Sequence, residues 1–521
     1  MPTGTTQPVY ETETGLARLL AACLPGRHLA GALLMGLALR LFFILQYPTE
    51  TPDFRLYDEL ARNWLNRGVY GLWLEGRLVP VGVRAPGYPA FLAAVYAMAG
   101  RNVPAVMLTQ AVVDLITCVL IAFLAALVTS AATGASAAKA SSGAGRAATI
   151  ALWLAALCPF TANYTAVPLT EPVAIFLTTL ILLILVVAFQ REVAQASRRQ
   201  GPAPPPAASV AGKIHGMPGQ VPALPHLPWL LAGLVAGVGT LVRPETPLLL
   251  AVAGLVLLTR WWRLRDLGKL ARAGLLLTVG LAVPLAPWAA RNWHTLGEVQ
   301  FLAPRYAQLP GEQPPVGFYA WARTWQTRYK ETEVIVWKLE SEPISIDDVP
   351  ASAFDSGQER QKVAALLARH NENLQITAEI DEGFRQLAGE RAHRHPFRTW
   401  LWLPFRRAVT MWFTPRIELL PYSGQVFPLA KEWDEDREDL LWTVGLWLVN
   451  FFYLALAAAG AWKFRHSPEV AFLVAFPLIR TVIFTQMDSP EPRYLLVCFP
   501  AIIALASLAP IHKSVVAEPR P

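Results

Sequence analysis

Ten apolar stretches dominate this chain, at about residues 29–47, 103–129, 148–164, 171–189, 228–241, 246–259, 271–288, 440–461, 469–485 and 494–510. Charged or proline-rich loops separate them. A run of about 20 apolar residues can cross a bilayer as a helix, the form that satisfies its own backbone where there is no water. Only 16% of the residues are charged, against about 25% in an ordinary soluble domain. The pattern predicts an all-α polytopic membrane protein of about 10 transmembrane helices.

The formal net charge of +7 would suit nucleic acid, but the cations sit mainly in loops flanking apolar segments. That is the positive-inside signature, so nucleic acid is excluded as a partner. The charges also set the topology. The stretch 86–100 is apolar but short, and Gly87 and Pro89 interrupt its start. If it does not cross, Lys139, Arg146, Arg191, Arg198, Arg199, Lys213, Arg260, Arg263, Lys463 and Lys513 all fall on one side. It is therefore read as a re-entrant or interface-lying helix. Both termini are then cytoplasmic, in a plasma (inner) membrane. Leu29 to Tyr47 is too long for a signal-peptide core and reads as a retained first helix.

Three modules follow. Residues 1–290 form an N-terminal transmembrane module with an outward loop at 48–100 and flexible cytoplasmic linkers at 130–148 and 190–225, rich in Ala, Gly, Ser and Pro. Residues 291–400 form a small outward-facing helical cap, with helices expected at Ser356–His370 and Ile380–His395. Residues 401–521 form a C-terminal transmembrane module, preceded by an aromatic and basic stretch, Arg398 to Phe413, suited to the membrane interface. Cys23, Cys118, Cys158 and Cys498 have no metal-ligand spacing and read as small apolar residues.

The chemistry is expected at the outward ends of the spans. Asp53 stands at the start of an amphipathic helix that carries Tyr57. The positive end of the helix dipole would keep that carboxyl ionised as a general base; the alternative is a plain helix cap. Asp58 and Glu59 follow closely. Arg84-Ala-Pro-Gly-Tyr88-Pro places a cation before a rigid turn, where it could hold an anionic headgroup. Pro168-Leu-Thr-Glu171-Pro puts a second carboxylate at the outward level. Arg243 and Glu245, Arg291 and His294, and Glu491, Arg493 and Tyr494 occupy further outward ends. There is no GxxxxGK[ST], HExxH, CxxC or GxSxG motif.

These elements together resemble the GT-C superfamily of membrane glycosyltransferases, in the branch of the protein O-mannosyltransferases and lipid A aminoarabinose transferases. The resemblance runs through Asp53-xxx-Tyr57-xxx-Ala61, Arg84-x-Pro-Gly-Tyr-Pro, Leu169-Thr-Glu-Pro172, Leu241-Val-Arg-Pro-Glu245, Pro287-Trp-x-x-Arg-Asn292 and Arg493-Tyr494. It implies an inverting enzyme that takes a hexose or pentose from a polyprenyl-phosphate donor on the extracytoplasmic face. The acceptor would be a lipid, glycan or protein. By the same resemblance Asp53 is the catalytic base, with Asp58 and Glu171 as further catalytic candidates. Arg84, Arg243, Arg291 and Arg493 would bind the donor phosphate. Tyr57, Tyr88, Glu245, His294 and Tyr494 are further site candidates. Glu171 stands where the family more clearly has Asp, which leaves use of a divalent cation open. The competing reading is a polytopic transporter or lipid flippase. That function would call for polar groups near mid-membrane, where Asp114 is the main one.

Overall fold

The computed structural model describes residues 24–133, 137–200, 226–264 and 267–512, apart from 305, 307, 310–312 and 341. Both chain ends, Cys23 and residues 201–225 of the linker expected at 190–225 lie outside them.

Helices account for nearly all of the regular structure. They are α1 (Gly26–Gln46), α2 (Pro52–Arg67), α3 (Gly87–Ala99), α4 (Val103–Thr133), α5 (Ala137–Ala156), α6 (Pro159–Asn163) and α7 (Glu171–Gln200). Then come α8 (Leu227–Val242), α9 (Pro247–Leu264), α10 (Leu267–Leu296), α11 (Val316–Ala322), α12 (Gly357–Asn373) and α13 (Ala378–Arg394). The last are α14 (Leu403–Trp412), α15 (Arg437–Lys463), α16 (Pro468–Phe484) and α17 (Phe499–Leu508), with short helical turns between.

All ten apolar stretches fall on helices. Five of those helices are long and apolar enough to cross a bilayer: Gly26–Gln46, Val103–Thr133, the first part of α7, Leu267–Leu296 and Arg437–Lys463. A sixth span would be the pair Ser142–Ala156 and Pro159–Ala166, bent by 43° at the Pro159 break. Leu227–Val242 has 16 residues, about 24 Å at a helical rise. That is less than the roughly 30 Å of hydrocarbon. α3, with 13 residues, is shorter still.

The linker expected at 130–148 is largely helical, since α5 starts at Ala137 and α7 runs on through 190–200. Alanine favours helix strongly enough to outweigh the Gly and Ser interspersed there. The loop at 48–100 holds a two-stranded hairpin that the all-α reading did not anticipate, β1 (Gly71–Leu74) against β2 (Arg77–Pro80). Its two-residue turn places Glu75 at φ 48 and Gly76 at φ 77, the left-handed pair that matches strand twist.

Small residues bring the spans together. A Cβ on Gly237 of α8 would lie 2.6 Å from Leu281 O, and one on Gly280 of α10 would lie 2.5 Å from Leu230 O. Apolar side chains gain little by leaving lipid for protein, so close backbone approach through glycine is what holds such helices. Arg40 and Asp114 tie α1, α4 and α5 in the buried core. Arg40 Nη2 lies 2.5 Å from Asp114 Oδ2, and Nη1 donates to Gly36 O (2.7 Å) and Ala156 O (2.8 Å). Asp114 is thereby a satisfied structural carboxylate, not the polar centre of a transport path.

The cap helices form as expected, with Ser356 and Thr377 accepting from Glu359 N and Ile380 N as N-caps. They enclose a separate core that includes Phe318, Trp321, Val363, Leu367 and Phe384. Beside it, Asp381 accepts from Gly317 N (2.6 Å) and Phe318 N (3.1 Å), and buried Arg391 pairs with Glu359 (2.6 Å). Arg407 of α14 couples the cap to the membrane module, donating to Gln326 O (2.9 Å) and Thr485 O (3.0 Å).

Candidate active site

The first wall is α2. Thr51 caps it, its Oγ1 accepting from Phe54 N at 3.2 Å, and Pro52 supplies the preset φ of a first helical turn. Asp53 is thus free of capping duty. Its carboxylate accepts from Arg84 Nη2 (3.0 Å) and lies 3.5 Å from Arg493 Nη1. About a third of the side chain is exposed (32%), so a ligand can reach it. Burial opposes its ionisation, but Arg493 and then Arg84 outweigh that and hold the carboxyl below the usual range. Tyr57, one turn on, lies under Arg84, whose guanidinium carbon is 6.0 Å from the ring centroid. Burial pushes its phenol up to about 12, so it stays protonated.

Asp58 and Glu59 point elsewhere. Asp58 is buried and engaged by Arg62 (3.0 Å), Arg101 (3.1 Å) and Tyr96 Oη (2.8 Å), which fastens α2 to α3. Glu59 accepts from Trp73 N (2.8 Å), and Asn63 donates to Gly71 O (2.8 Å), so the hairpin hangs on the far face of α2.

The second wall is a continuous ion string. Arg243 reaches Glu171 at 2.9 Å and Glu245 at 2.8 Å; Glu245 meets Arg480 at 3.0 Å, and Arg480 Nε donates to Tyr494 O at 2.7 Å. Burial opposes ionisation of Glu245 too, yet Arg243 and Arg480 bring its carboxyl down to about 2. Glu491 pairs with Arg493 and accepts from Tyr494 Oη (2.8 Å) and Ser489 Oγ (3.1 Å). Ser489 also bonds Thr332 of the cap segment (3.2 Å). Asp53, Glu171, Glu245 and Glu491 are thereby matched against Arg84, Arg243, Arg480 and Arg493.

Arg480 escaped the sequence reading because it sits inside an apolar segment counted as a span. An ionisable residue in such a segment was itself the available signal. Tyr88 packs its ring 5.2 Å from Tyr57 but spends its hydroxyl on Gln110 (2.7 Å). His294 is exposed on the last turn of α10 and is not brought to the other site residues. A divalent cation would need several oxygen ligands free to converge. Here the carboxylates are taken by arginines, and among the described residues no three His, Cys, Asp or Glu side chains gather as a cation site.

Arg291 stands apart from the ion string. It donates to Tyr70 O (2.7 Å) and Val81 O (2.9 Å) and lies over the Trp288 ring at 5.2 Å. It lines a cavity of about 840 Å³ whose other walls are almost wholly apolar, including Phe91, Phe176, Leu241, Pro287 and Trp288. This cavity begins next to Arg84: Pro86 and Gly87 line it, and Tyr70, also in its lining, donates its hydroxyl to Arg84 O (2.9 Å). Gly87 lets α3 approach α8 here, since a Cβ would meet Leu241 O at 2.5 Å.

No family model and no curated protein matches the chain. Among solved structures it is similar to an oligosaccharyltransferase of Archaeoglobus fulgidus tethered with an acceptor peptide. The TM-score is 0.45 at 12% identity, over 96% of this chain and 49% of that one. It is similar also to ArnT from Cupriavidus metallidurans in the apo state, at TM-score 0.36 and 15% identity over 95% of this chain and 78% of that one. The likeness to the same protein bound to undecaprenyl phosphate has TM-score 0.33 at 14% identity, over 96% and 78%. This chain spans about half the length of the oligosaccharyltransferase, 49% of it.

Proposed function

We propose that this protein is an inverting glycosyltransferase that moves a sugar from a polyprenyl-phosphate donor to an acceptor on the extracytoplasmic face of the membrane. The observation that carries the reading is one juxtaposition. A partly exposed, ionised Asp53 is held between Arg84 and Arg493, next to an apolar cavity of about 840 Å³. Those are the needs of the reaction: a base for the acceptor, cations for a phosphate, and a dry channel for an isoprenoid chain. The positive-inside bias of the loops supports a plasma membrane setting with this face outward and both termini cytoplasmic.

In this mechanism Asp53 takes the proton of the acceptor nucleophile. The nucleophile attacks the anomeric carbon from the side opposite the phosphate. The bond from that carbon to the phosphate oxygen breaks, and the lipid phosphate leaves with the electron pair. A phosphate is a weak base, so the step needs no strong general acid. Arg84 and Arg493 stabilise the charge it gains. A phosphate entering here competes with Asp53 for both guanidiniums, which frees the carboxylate as the donor binds. The transporter reading draws no support from Asp114, which is locked to Arg40.

The test is lipid-linked sugar carried through purification in native membranes and identified by mass spectrometry, followed by transfer assays with the recovered donor. Recovery of undecaprenyl-type phosphate sugar, and turnover that Asp53→Asn abolishes, is the expected result. Full turnover by Asp53→Asn would overturn the mechanism.

A further inference from the structure

Arg84 stands in a stretch between β2 and α3 that has no regular structure to hold it. Its backbone is fixed from outside instead. The carbonyl of Arg84 itself accepts from Tyr70 Oη at 2.9 Å. Earlier in the same stretch, Val81 O accepts from Arg291 Nη1 at 2.9 Å and Gly82 O from Gln300 Nε2 at 3.3 Å. Buried carbonyls must find donors, so these bonds alone would mean only that the loop is satisfied. Two features say more.

The first is the choice of donor. Arg291 is a charged group committed to neutral oxygens: Nη2 donates to Tyr70 O (2.7 Å), and Nη1 to Val81 O and Asn292 Oδ1 (2.9 Å each). A guanidinium fork that grips two carbonyls is a stronger and more directional clamp than a neutral donor. Tyr70 and Val81 flank the open end of the hairpin, where Val81 N also donates to Tyr70 O (3.2 Å). Arg291 therefore pins both strands at the point where the chain leaves β2 for Arg84.

The second is the setting of Tyr70. The residue is 4% exposed, and its ring packs edge-on at 5.1 Å from Trp288 and 5.4 Å from Trp64, with the Arg291 guanidinium carbon 5.4 Å from its centroid. A ring wedged in this way makes its hydroxyl a fixed point. Three contacts then lead from α10 to the base: Arg291 to Tyr70 O (2.7 Å), Tyr70 Oη to Arg84 O (2.9 Å), and Arg84 Nη2 to Asp53 Oδ1 (3.0 Å). A charge that must meet a reacting group works only on a rigid support, since misplacement by about 1 Å can cost about 10²-fold.

We propose that Tyr70 and Arg291 are positioning residues, a brace that sets the Arg84 guanidinium between the donor phosphate and Asp53. This rests on the glycosyl-transfer reading above, and it gives Arg291 a role other than holding the phosphate itself. The test is a double-mutant cycle on the binding of undecaprenyl phosphate to the full chain in lipid nanodiscs. Tyr70→Phe removes one hydrogen bond and keeps the ring, and should weaken binding by about two- to tenfold. Arg291→Met should weaken it by as much or more. In an Arg84→Met background no guanidinium is left to place, and neither substitution should weaken binding further. Tyr70→Phe preserves the packing around the ring, so its result stands even where Arg291→Met misfolds.

Turnover of the sugar lipid recovered from native membranes gives a second readout. Asp53 is faced by Arg84, Arg493 and Tyr57. Tyr70→Phe loosens the first of these, so the acid limb of kcat/KM should move to higher pH, in the direction expected of Arg84→Met. Weakening of the same size with and without the Arg84 side chain would overturn the brace, and for Arg291→Met would make that residue a phosphate ligand in its own right. An affinity and an acid limb both unchanged by Tyr70→Phe would overturn it as well. In each of those cases native binding and turnover leave the function standing. A native protein that does not bind undecaprenyl phosphate would overturn the function, and the brace with it.

Discussion

Arg84 Nη2 lies 3.0 Å from Asp53 Oδ1 while Arg493 Nη1 lies 3.5 Å from Asp53 Oδ2, so one carboxylate is shared by cations from two distant parts of the chain. Arg84 opens the turn into α3, and Arg493 precedes the last apolar helix. Assembly of the site therefore requires the segment around Asp53 and Arg84 to be packed against the chain around Arg493.

Asp53→Asn keeps the shape and removes the basicity. Losing a general base costs about 10²–10⁴ in rate. Thermal stability should change little, because Thr51 and not Asp53 caps α2. Asp58→Asn should do the reverse. Its carboxylate is 3% exposed and fastens α2 to α3 through Arg62, Arg101 and Tyr96. Melting temperature should fall, with the rate per folded molecule largely retained. A dead but fully stable Asp58→Asn would show that the base has been misassigned.

The pH profile should carry the signature of the two arginines. Asp53 acts only when ionised, and its folded pKa is depressed. kcat/KM, which reports the enzyme before the donor phosphate takes the two arginines, should hold down to pH values below the ordinary aspartate range of about 3.9 and fall as pH drops through the folded pKa. The stability contribution has the same sign: present above the unfolded pKa and lost as pH falls through the folded one. Arg84→Met removes one of the lowering influences, so the acid limb should move to higher pH. Arg493→Met removes the other and should move it in the same direction. An acid limb that stays put in both variants would contradict the pairing.

Much of this was legible in the sequence. Apolar stretches of 14 residues or more announce themselves because lipid tolerates little else, and the ten segments all fall on helices. Asp53, Arg84, Glu171, Arg243, Glu245 and Arg493 could be singled out because each adjoins a proline-marked turn. The hairpin could not: four-residue strands give almost no alternation, and Glu75-Gly76 is a weaker turn signal than Asn-Gly. Arg480 was hidden by its apolar neighbours. Asp58 and Asp53 are separated only by rotation about α2, which the order of residues gives too coarsely to decide partners.

The Arg40–Asp114 pair offers a test of the fold independent of function. Removing one partner strands a charge in the buried core, at a cost of about 3–5 kcal/mol. Asp114→Ala should therefore lower stability sharply in a denaturation assay in detergent. The double variant Arg40→Met/Asp114→Leu removes both charges and should recover most of that loss, because well-packed apolar residues can replace a buried ion pair at little cost. A double variant as unstable as the single one would mean that the hydrogen bonds to Gly36 O and Ala156 O, and not the charge pair, hold α1 to its neighbours.

The apolar cavity makes a prediction that depends on chain length of the lipid. Its volume of about 840 Å³ lies within the range of ligand sites, about 300–1,000 Å³. Ala90 on α3 forms part of its wall near the Arg84 end. Ala90→Trp should fill that part of the channel without touching Asp53, Arg84 or Arg493. A donor deprived of contact for two or three methylenes loses about 2 kcal/mol, roughly thirtyfold in affinity. The loss should appear as a raised KM for long-chain polyprenyl donors with little change in kcat, since the reacting groups keep their positions. Short-chain analogues that do not reach Ala90 should be affected far less. Melting temperature should not fall, because the added ring occupies space that is already open. An equal rise in KM for short and long donors would mean that the substitution disturbs the headgroup end instead. An unchanged KM for the long donors would mean that the isoprenoid runs along some other face of the helices.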